Sequence, residues 1–220
     1  MLRPTRSEED WIRIYKERGA WWRHDGNMLR PHVRLTWGKH STGYVDSPLV
    51  LEDASLLFNI ALDLLEAFVR EGGEIDKVEG VVGPCAKLAE AIANIAGNSC
   101  FWASSEKSEE GREKSMVFSP EDFALFAGKS VLPCDDVLTT GGTDELVARA
   151  VRKASGIVLP FVVVPVNRSG LKEVNGRKIV ALINQHMPKW HPEKCPLCEQ
   201  GSKALTPKDP ANWALLNAAY

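Results

Sequence analysis

Residues 130–149 read Ser-Val-Leu-Pro-Cys-Asp-Asp-Val-Leu-Thr-Thr-Gly-Gly-Thr-Asp-Glu-Leu-Val-Ala-Arg, and the stretch joins three local patterns. Val131 and Leu132 begin a short apolar run of the kind that forms buried strands. A turn rich in hydroxyl groups and glycine follows at 139–143. From Asp144 onward apolar residues recur at helical spacing. The stretch therefore predicts a strand, a tight turn and a helix, the unit from which α/β folds are built.

The predicted turn has the properties of an anion-binding site. Backbone N–H groups point into such a turn, and the start of the following helix adds partial positive charge. Asp135 and Asp136 stand where the strand should end. Two carboxylates cannot bind phosphate themselves, but they suit hydroxyl groups or a Mg²⁺ ion. The alternative is an ordinary turn between strand and helix with an acidic cap.

An apolar strand, two acidic residues and Val-x-Thr-Thr-Gly-Gly-Thr together resemble the phosphoribosyl-diphosphate motif of type I phosphoribosyltransferases. The resemblance implies that the turn binds the 5′-phosphate, that the acidic pair contacts the ribose hydroxyls, and that Mg²⁺ is the cofactor. The residues in these places are Asp135, Asp136, Val137, Leu138, Thr139, Thr140, Gly141, Gly142 and Thr143. Pro133 departs from the family's purely apolar strand. Because proline lacks an N–H donor, we expect the strand to be bulged or locally unpaired there.

Composition excludes several classes of protein. The chain has 220 residues, 44% of them hydrophobic and 25% charged, which suits one domain or a domain with a small cap. Its net charge of −2 favours neither nucleic acid nor a membrane surface as partner. No apolar run reaches the ~18 residues of a membrane helix, and the first ten residues lack the apolar core of a signal peptide. Five cysteines without a disulfide-like spacing favour the reducing cytoplasm.

Strand and helix patterns alternate from Asp53 to Ile183, which predicts an α/β fold with a mainly parallel sheet flanked by helices. Helices are predicted at 7–18 and 53–70, and a strongly apolar strand at 156–166. Residues 51–185 are predicted to form the phosphoribosyltransferase core. Residues 1–50 form an N-terminal hood segment, and 186–220 a tail that packs on hood or core. The ligand is expected beyond the carboxyl ends of the strands.

A second strand, a Gly-Pro turn and a helix start follow one another at 78–88, which predicts a second anion-binding turn. Lys87 lies early in that helix, where a positive charge is slightly unfavourable unless an anion binds nearby. The alternative is a plain surface lysine. In the resembling family this turn grips pyrophosphate, and Lys87 matches a lysine that some orotate enzymes carry.

The segment Leu-Thr-Trp-Gly-Lys-His-Ser-Thr-Gly-Tyr, residues 35–44, lies between two predicted strands. It resembles the hood segment of orotate phosphoribosyltransferases, with Trp37 in place of the usual serine. The resemblance implies that Lys39 and His40 contact the substrates. The alternative is a solvated hairpin tip.

A polar and charged segment at 104–120 is long for a loop inside a compact domain, which is typical of a mobile lid or a disordered segment. The resembling family has its flexible catalytic loop at this place. Lys107, Arg112 and Lys114 are the cations available, and the segment contains no histidine, unlike the best-studied orotate enzymes. The resemblance makes Lys107 a catalytic candidate.

Asn-Arg-Ser-Gly follows the apolar run that ends at Val166. One subgroup of orotate phosphoribosyltransferases, which shares the Thr-Thr-Gly-Gly turn, has Asp-Arg-Ser-Gly here. The resemblance implies that Arg168 binds the carboxylate of the base.

The tail contains Cys-Pro-Leu-Cys, with Cys195 and Cys198 near His186 and His191. This spacing is typical of a structural zinc site. The alternative is a turn with two free thiols, since the same subgroup ends in this motif without a metal being central to its chemistry.

Together these motifs predict transfer of a phosphoribosyl group from phosphoribosyl diphosphate to a nucleobase, most simply orotate, giving orotidine monophosphate and pyrophosphate. The predicted catalytic residues are Lys87, Lys107, Asp135 and Asp136. The alternatives are transfer to another base and a non-catalytic protein that senses phosphoribosyl diphosphate or nucleotides. The resemblance implies a homodimer.

Overall fold

The structure is a computed structural model that describes residues 5–36, 38–97, 99–108 and 115–220. The chain forms two compact units. The first consists of the residues up to Trp11 and of Leu51–Gln185, and the second of Ile12–Val50 and His186–Tyr220. Within the described ranges, no helix is long and apolar enough to cross a membrane.

The helices of the described residues are α1 (Glu8–Glu17), α2 (Pro48–Leu51), α3 (Ala54–Arg70), α4 (Ala86–Ala96), α5 (Pro120–Phe123), α6 (Gly142–Lys153), α7 (Pro196–Glu199) and α8 (Pro210–Leu216). The strands are β1 (Trp21–Arg23), β2 (His32–Arg34), β3 (His40–Ser41), β4 (Gly43–Val45), β5 (Gly80–Gly83), β6 (Phe101–Ser104), β7 (Glu106–Ser108), β8 (Ser115–Val117), β9 (Ser130–Pro133), β10 (Val137–Leu138), β11 (Ile157–Val158), β12 (Phe161–Asn167), β13 (Glu173–Val174), β14 (Arg177–Asn184), β15 (Lys189–Trp190) and β16 (Ala204–Leu205).

Parallel strands dominate the first unit, so the predicted fold class is confirmed. Four parallel strands lie in the order β11-β9-β5-β6, and a second sheet has the order β10-β12-β14-β13, in which only β13 is antiparallel. A parallel bridge between Cys134 and Val163 links the two sheets. Helices α4 and α6 pack on the first sheet, and α3 packs on β12 and β14.

The apolar run predicted as one strand at 156–166 is two strands, β11 and β12, so that prediction is wrong in detail. Leu159 N–H still donates to Val131 O, and the ladder resumes where Asp135 N–H donates to Val163 O. Pro133 and Pro160 lie in this gap, and neither has an N–H to donate. On its other side β9 pairs with β5 without a break, up to Pro133 itself. The strand is therefore unpaired at Pro133 on one edge, as the sequence predicts.

Side chains cap the N-termini of α1 and α3. Asp53 accepts hydrogen bonds from the backbone N–H groups of Ser55 and Leu56 at the start of α3. Before α1, Ser7 Oγ accepts from Asp10 N at 3.1 Å, and Asp10 Oδ2 accepts from Ser7 N at 3.2 Å. Each reciprocal bond satisfies an N–H group that the helix itself leaves without a partner.

The segment 104–120 is predicted as a long loop, but its described residues form regular structure both before and after 109–114. Strands β7 and β8 pair antiparallel, with Lys107 opposite Met116, and α5 follows. Met116 and Phe118 are buried in the apolar core of the first unit, together with Val82, Ala103, Phe126 and Val131. These buried side chains anchor the hairpin, which explains why its base is ordered where composition suggested a loop.

The second unit combines Ile12–Val50 with His186–Tyr220. Its main sheet has the order β15-β3-β2-β16, so a tail strand pairs with each strand of the hairpin β2–β3. Strands β1 and β4 form a separate pair. Trp22, Val33, Leu205 and Leu216 form one apolar cluster of this unit.

Candidate active site

The turn at the carboxyl end of β9 forms as the motif predicts. Asp135 and Asp136 follow the strand, β10 pairs parallel with the end of β12, and α6 begins at Gly142. Asp136 N–H donates to Asp135 Oδ1 and Val137 N–H donates to Asp136 Oδ1, both at 2.9 Å. A small hollow of about 20 Å³ is lined by Asp135, Val137, Leu138, Thr139, Gly141, Gly142, Thr143 and Asp144. The structure therefore places these predicted residues together at the start of a helix, where N–H groups lack intrahelical acceptors.

Electrostatics at the acidic pair favour a bound cation or hydroxyl donors. Burial, and then the neighbouring Asp136 carboxylate, raise the pKa of Asp135 well above its usual range. A carboxylate in such surroundings is stabilised by Mg²⁺ or by hydroxyl groups that donate to it. The donor set of two adjacent carboxylates thus fits the Mg²⁺ and ribose contacts implied by the motif.

Gly141 gives the turn its shape. Its φ is +75°, in the left-handed region that glycine adopts readily. A Cβ at this position would lie 1.9 Å from Cγ2 of Val174, so no side chain fits. Asn175 Nδ2 donates to Gly141 O at 2.8 Å and to Asp144 Oδ2 at 2.9 Å. The turn is thus held from the hairpin β13–β14.

We expect Gly141→Ala to destabilise the protein and Gly142→Ala to be tolerated. The left-handed backbone costs a non-glycine residue about 1–3 kcal/mol, before the clash with Val174 is counted. At Gly142 the nearest atom to an added Cβ is Thr140 Oγ1, at 3.8 Å. Thermal unfolding of the two variants checks this. Equal melting temperatures would contradict the backbone argument.

A buried ion pair supports the turn from behind, and sequence reasoning missed it. Arg177 donates to Asp144 through Nη2, at 2.6 Å from Oδ2, and through Nε, at 3.1 Å from Oδ1. The two side chains are only 3% and 2% exposed. The sequence signal that could have indicated the hairpin before Arg177 was Asn175-Gly176, a pair typical of two-residue hairpin turns. Both residues have positive φ, +51° and +74°, and they connect β13 to β14.

The second predicted turn lies beside the first. It leaves β5 at Gly83, and β5 is the parallel neighbour of β9. A Cβ on Gly83 would lie 1.9 Å from Cys134 O, so only glycine allows this approach. Lys87 is exposed in the first turn of α4. Burial raises the pKa of the Cys85 thiol. The backbone hydrogen bond with Leu88 lowers this pKa, the charges of Asp136 and Asp135 raise it, and the charge of Lys87 lowers it. Both turns therefore occupy one edge of the sheet.

Arg168 follows directly on β12, at the same edge. Leu138 is paired with Asn167, and Arg168 N–H donates to Leu138 O at 3.0 Å. The side chain is 6% exposed, and burial lowers the pKa of Arg168 to about 10, so it remains charged at neutral pH. Asn167 orders the loop around it, with Nδ2 donating to Leu171 O at 2.8 Å and Oδ1 accepting from Ser169 N at 3.0 Å.

The two turns and Arg168 lie in a part of the chain that matches a known protein family. The family described as "Phosphoribosyl transferase domain" matches residues 51–194, more than half of the chain. The chain belongs to the phosphoribosyltransferase family. The predicted resemblance and enzyme class are therefore confirmed.

Relatives within the phosphoribosyltransferases align along most of the chain. The orotate phosphoribosyltransferase of Desulforamulus reducens is 30% identical over 204 residues, 91% of this chain and 96% of that protein. The orotate phosphoribosyltransferase of Pelotomaculum thermopropionicum is also 30% identical over 204 residues, 91% and 97% of the two chains. A solved structure of orotate phosphoribosyltransferase from Aeropyrum pernix has a TM-score of 0.56 at 24% identity, covering 79% of this chain and 92% of that one. The similarity to the Aeropyrum pernix structure shows that the two chains share a fold.

The cations that the phosphoribosyltransferase motifs single out are spread over the chain. Lys107 is exposed on β7, while Arg112, Lys114 and Trp37 lie outside the described residues. Lys39 lies in the second unit, where its carbonyl accepts from Leu35 N at 2.7 Å. In that unit a cavity of about 450 Å³ is lined by Arg34, Leu35, Thr36, Gly38, Tyr44, Thr206, Pro207 and Lys208. Arg34 and Lys208 give its wall positive charge.

A cluster of histidine and cysteine lies in the second unit. His32, His40, Cys195 and Cys198 offer ligand atoms that all lie within 4.8 Å of one another. His186 and His191, the histidines near the cysteines in sequence, do not belong to this group and are exposed, so their prediction as partners is wrong.

The position of His40 in this cluster changes its interpretation. The residue is 6% exposed, and its Nδ1 lies 3.2 Å from Cys198 Sγ. The alternative prediction, that His40 lies in a solvated hairpin tip, is therefore wrong. Its predicted substrate contact gains no support from this geometry, because the ring faces the cysteines. Burial lowers the pKa of His32 to about 4 and also lowers that of His40, so both rings are neutral at pH 7.

Proposed function

We propose that this phosphoribosyltransferase transfers the phosphoribosyl group of phosphoribosyl diphosphate to orotate, giving orotidine monophosphate and pyrophosphate. The observation that carries the choice of base is Arg168, a buried guanidinium at the end of β12 beside the turn that begins at Thr139. A planar guanidinium meets a carboxylate with two parallel hydrogen bonds, and orotate has a carboxylate that uracil and the purines lack. The relatives that align along 91% of the chain are named for the same reaction.

The reaction breaks the bond between the anomeric carbon and a pyrophosphate oxygen and forms a bond from that carbon to a ring nitrogen. The pyrophosphate leaves with the electron pair, and the base loses its N–H proton. Positive charge develops on the sugar and negative charge on the leaving group. The protein accelerates the step through fixed geometry and through charges placed where these charges develop.

The predicted residues of the two turns and Lys107 have defined tasks in this proposal. The N–H groups of 139–143 hold the 5′-phosphate, while Asp135 and Asp136 accept hydrogen bonds from the ribose hydroxyls. Lys87 and Lys107 neutralise pyrophosphate as it leaves. Asp135 and Asp136 are the residues near which Mg²⁺ would bind, and the ion would supply further neutralisation of the leaving group.

A product assay separates the proposed reaction from its alternatives. Phosphoribosyl diphosphate and Mg²⁺ are incubated with orotate, uracil, adenine, guanine and hypoxanthine, and nucleotide products are separated by chromatography. We expect turnover with orotate. Turnover only with another base would overturn the choice of orotate. Binding of phosphoribosyl diphosphate without turnover of any base would indicate a sensor.

We expect the double variant Asp135→Asn with Asp136→Asn to lose the thermal stabilisation that phosphoribosyl diphosphate and Mg²⁺ give the native protein. A ligand at 100 times its Kd stabilises by about 2.7 kcal/mol, which scanning fluorimetry resolves easily. Glu121→Gln, at an exposed position of α5, is the matched control and should keep the shift. An undiminished shift in the double variant would show that the turn is not the ribose site.

The same variant should be more stable than the native protein when no ligand is present. Because the pKa of Asp135 in the folded protein is raised above its unfolded value of ~3.9, ionisation destabilises the fold. This loss begins as pH rises above about 4 and is complete above the folded pKa. The stability advantage of the variant should therefore grow with pH. A variant less stable than the native protein at pH 7 would contradict this.

We propose a homodimer, which the family resemblance implies, and a cytoplasmic location, which the cysteine usage favours. The five free cysteines fit a reducing compartment. The substrate contact of Lys39, and the role of 1–50 and 186–220 as a hood, remain predictions. Zinc at Cys195 and Cys198 is proposed for structure and not for the transfer step.

A further inference from the structure

The register of the hairpin β2–β3 brings two histidines to one face of the second unit. Arg34 is directly opposite His40 in the antiparallel pair, so their side chains project to the same side. His32 lies two residues before Arg34 on the same strand and shares that side. The two rings are 4.9 Å apart between centroids. Sequence spacing alone, seven residues between the histidines, carries no such information.

The tail supplies the two cysteines to the same point. Cys195 is 1% exposed, and Cys198 lies in the short helix α7 that follows it, at the accessible edge. Their Sγ atoms lie 3.5 Å and 3.6 Å from Nε2 of His32. Residues separated by 163 and 166 positions in the chain therefore converge on one ring nitrogen.

The distances match the edges of a zinc tetrahedron. With Zn–S near 2.3 Å and Zn–N near 2.05 Å, tetrahedral geometry places two nitrogens about 3.3 Å apart and a nitrogen and a sulfur about 3.6 Å apart. His32 Nε2 and His40 Nδ1 are 3.1 Å apart. Three of the four nitrogen–sulfur distances are 3.2, 3.5 and 3.6 Å, and all four ligand atoms lie within 4.8 Å of one another.

Hydrogen bonding around His32 sets its tautomer for metal binding. Ser202 Oγ lies 2.7 Å from Arg30 O, and since a carbonyl cannot donate, the hydroxyl donates there. The same Oγ lies 2.9 Å from His32 Nδ1, so it accepts from an Nδ1–H group. A neutral ring with Nδ1 protonated presents a lone pair at Nε2. That lone pair faces the other three ligand atoms, and an outer hydrogen bond of this kind commonly orients a metal-binding histidine.

We infer that His32, His40, Cys195 and Cys198 bind one Zn²⁺ ion that holds the N-terminal hairpin to the C-terminal tail within the second unit. Two thiolates and two imidazoles form the donor set of structural zinc, whereas Mg²⁺ and Ca²⁺ prefer oxygen. All four positions of the tetrahedron are filled by protein, so the site is structural and takes no part in the transfer reaction. The ion adds stability to this unit, because the four ligands come together only in the folded chain.

The competing interpretation is a hydrogen-bonded cluster of two rings and two thiols. His32 Nε2 has one lone pair, yet three potential donors or ligands surround it within 3.6 Å. That lone pair can accept one hydrogen bond, so hydrogen bonding to Nε2 accounts for only one of the three short distances. A single cation accounts for all of them at once.

Metal content of the purified full chain, prepared without chelator, tests the inference. We expect about one zinc per chain by plasma mass spectrometry. His32→Ala and Cys195→Ser should each reduce it at least tenfold. His191→Ala and Cys100→Ser, which change the same residue types outside the cluster, should retain it. Cobalt substituted into the native protein should give the visible absorption of a tetrahedral thiolate complex.

The cluster variants could fail to fold, so zinc binding is also tested on the native protein. Stripping zinc with a chelator should lower its melting temperature, and adding Zn²⁺ alone should restore it. Native protein that contains no zinc and shows no tetrahedral cobalt spectrum would overturn the inference, as would a Cys195–Cys198 disulfide found by mass spectrometry. Zinc retained in His32→Ala but lost in His191→Ala would overturn the ligand set. None of these outcomes depends on the proposed transferase activity.

Discussion

Arg168→Ala should raise the KM for orotate by about 30-fold to several thousand-fold while leaving the affinity for phosphoribosyl diphosphate nearly unchanged. Removing one partner of a desolvated charge pair costs about 2–5 kcal/mol, and every 1.4 kcal/mol is a factor of ten. Arg168 is 6% exposed. When its guanidinium is removed, water therefore cannot readily replace it as the hydrogen-bond partner of the substrate carboxylate. Steady-state kinetics with each substrate varied in turn measures both effects.

Two further variants separate substrate binding from loop stability. Arg168→Lys keeps the charge but cannot form two parallel hydrogen bonds, so it should recover only part of the loss. Arg149→Ala, on the exposed face of α6 with 67% of its side chain accessible, should behave as the native protein. If Arg168 instead stabilises its own loop, for example through Glu173, the alanine variant will melt earlier and weaken both substrates alike. A well-folded Arg168→Ala enzyme with native KM for orotate would remove the main argument for orotate.

Asp144→Ala should lower the free energy of unfolding by up to about 3–5 kcal/mol, because it removes the buried partner of the Arg177 guanidinium and leaves only Glu145, 3.2 Å from Nη2 and 31% exposed. For a chain of this size, that corresponds to a melting temperature lower by roughly 6–20 °C. Binding of phosphoribosyl diphosphate should weaken as well, since Asp144 also holds Asn175, whose amide donates to Gly141 O. Calorimetry and a ligand titration below the new melting temperature check the two effects separately.

A compensated variant distinguishes stability from turn geometry. Replacing both members of a buried ion pair with apolar residues of similar volume is often neutral or stabilising. Asp144→Leu with Arg177→Met should therefore regain most of the stability. It should not regain ligand affinity, because leucine cannot accept the hydrogen bond from Asn175. Full affinity in the compensated variant would show that the pair does not position the turn.

The sequence by itself determined the elements whose causes are local. Asp53 and the reciprocal pair Ser7–Asp10 cap helices through bonds that span two or three residues. The turn at 139–143 depends on glycine at one left-handed position and on the helix start that follows it. Such patterns act within one or two turns of chain, so short-range spacing is sufficient to predict them. The alternation of strands and helices likewise predicted a parallel sheet.

Only the tertiary structure decided which distant residues meet. The Asp144–Arg177 pair spans 33 positions and depends on the Asn175-Gly176 hairpin reaching the start of α6. Cys195 lies in a cluster with His32 and His40, and not with His186 and His191, which are nearer in sequence, because strand register brings the first two histidines to one face. The apolar run at 156–166 breaks at Pro160, where the two sheets of the first unit separate. These outcomes depend on pairing between strands, and one residue of register would turn every side chain to the opposite face.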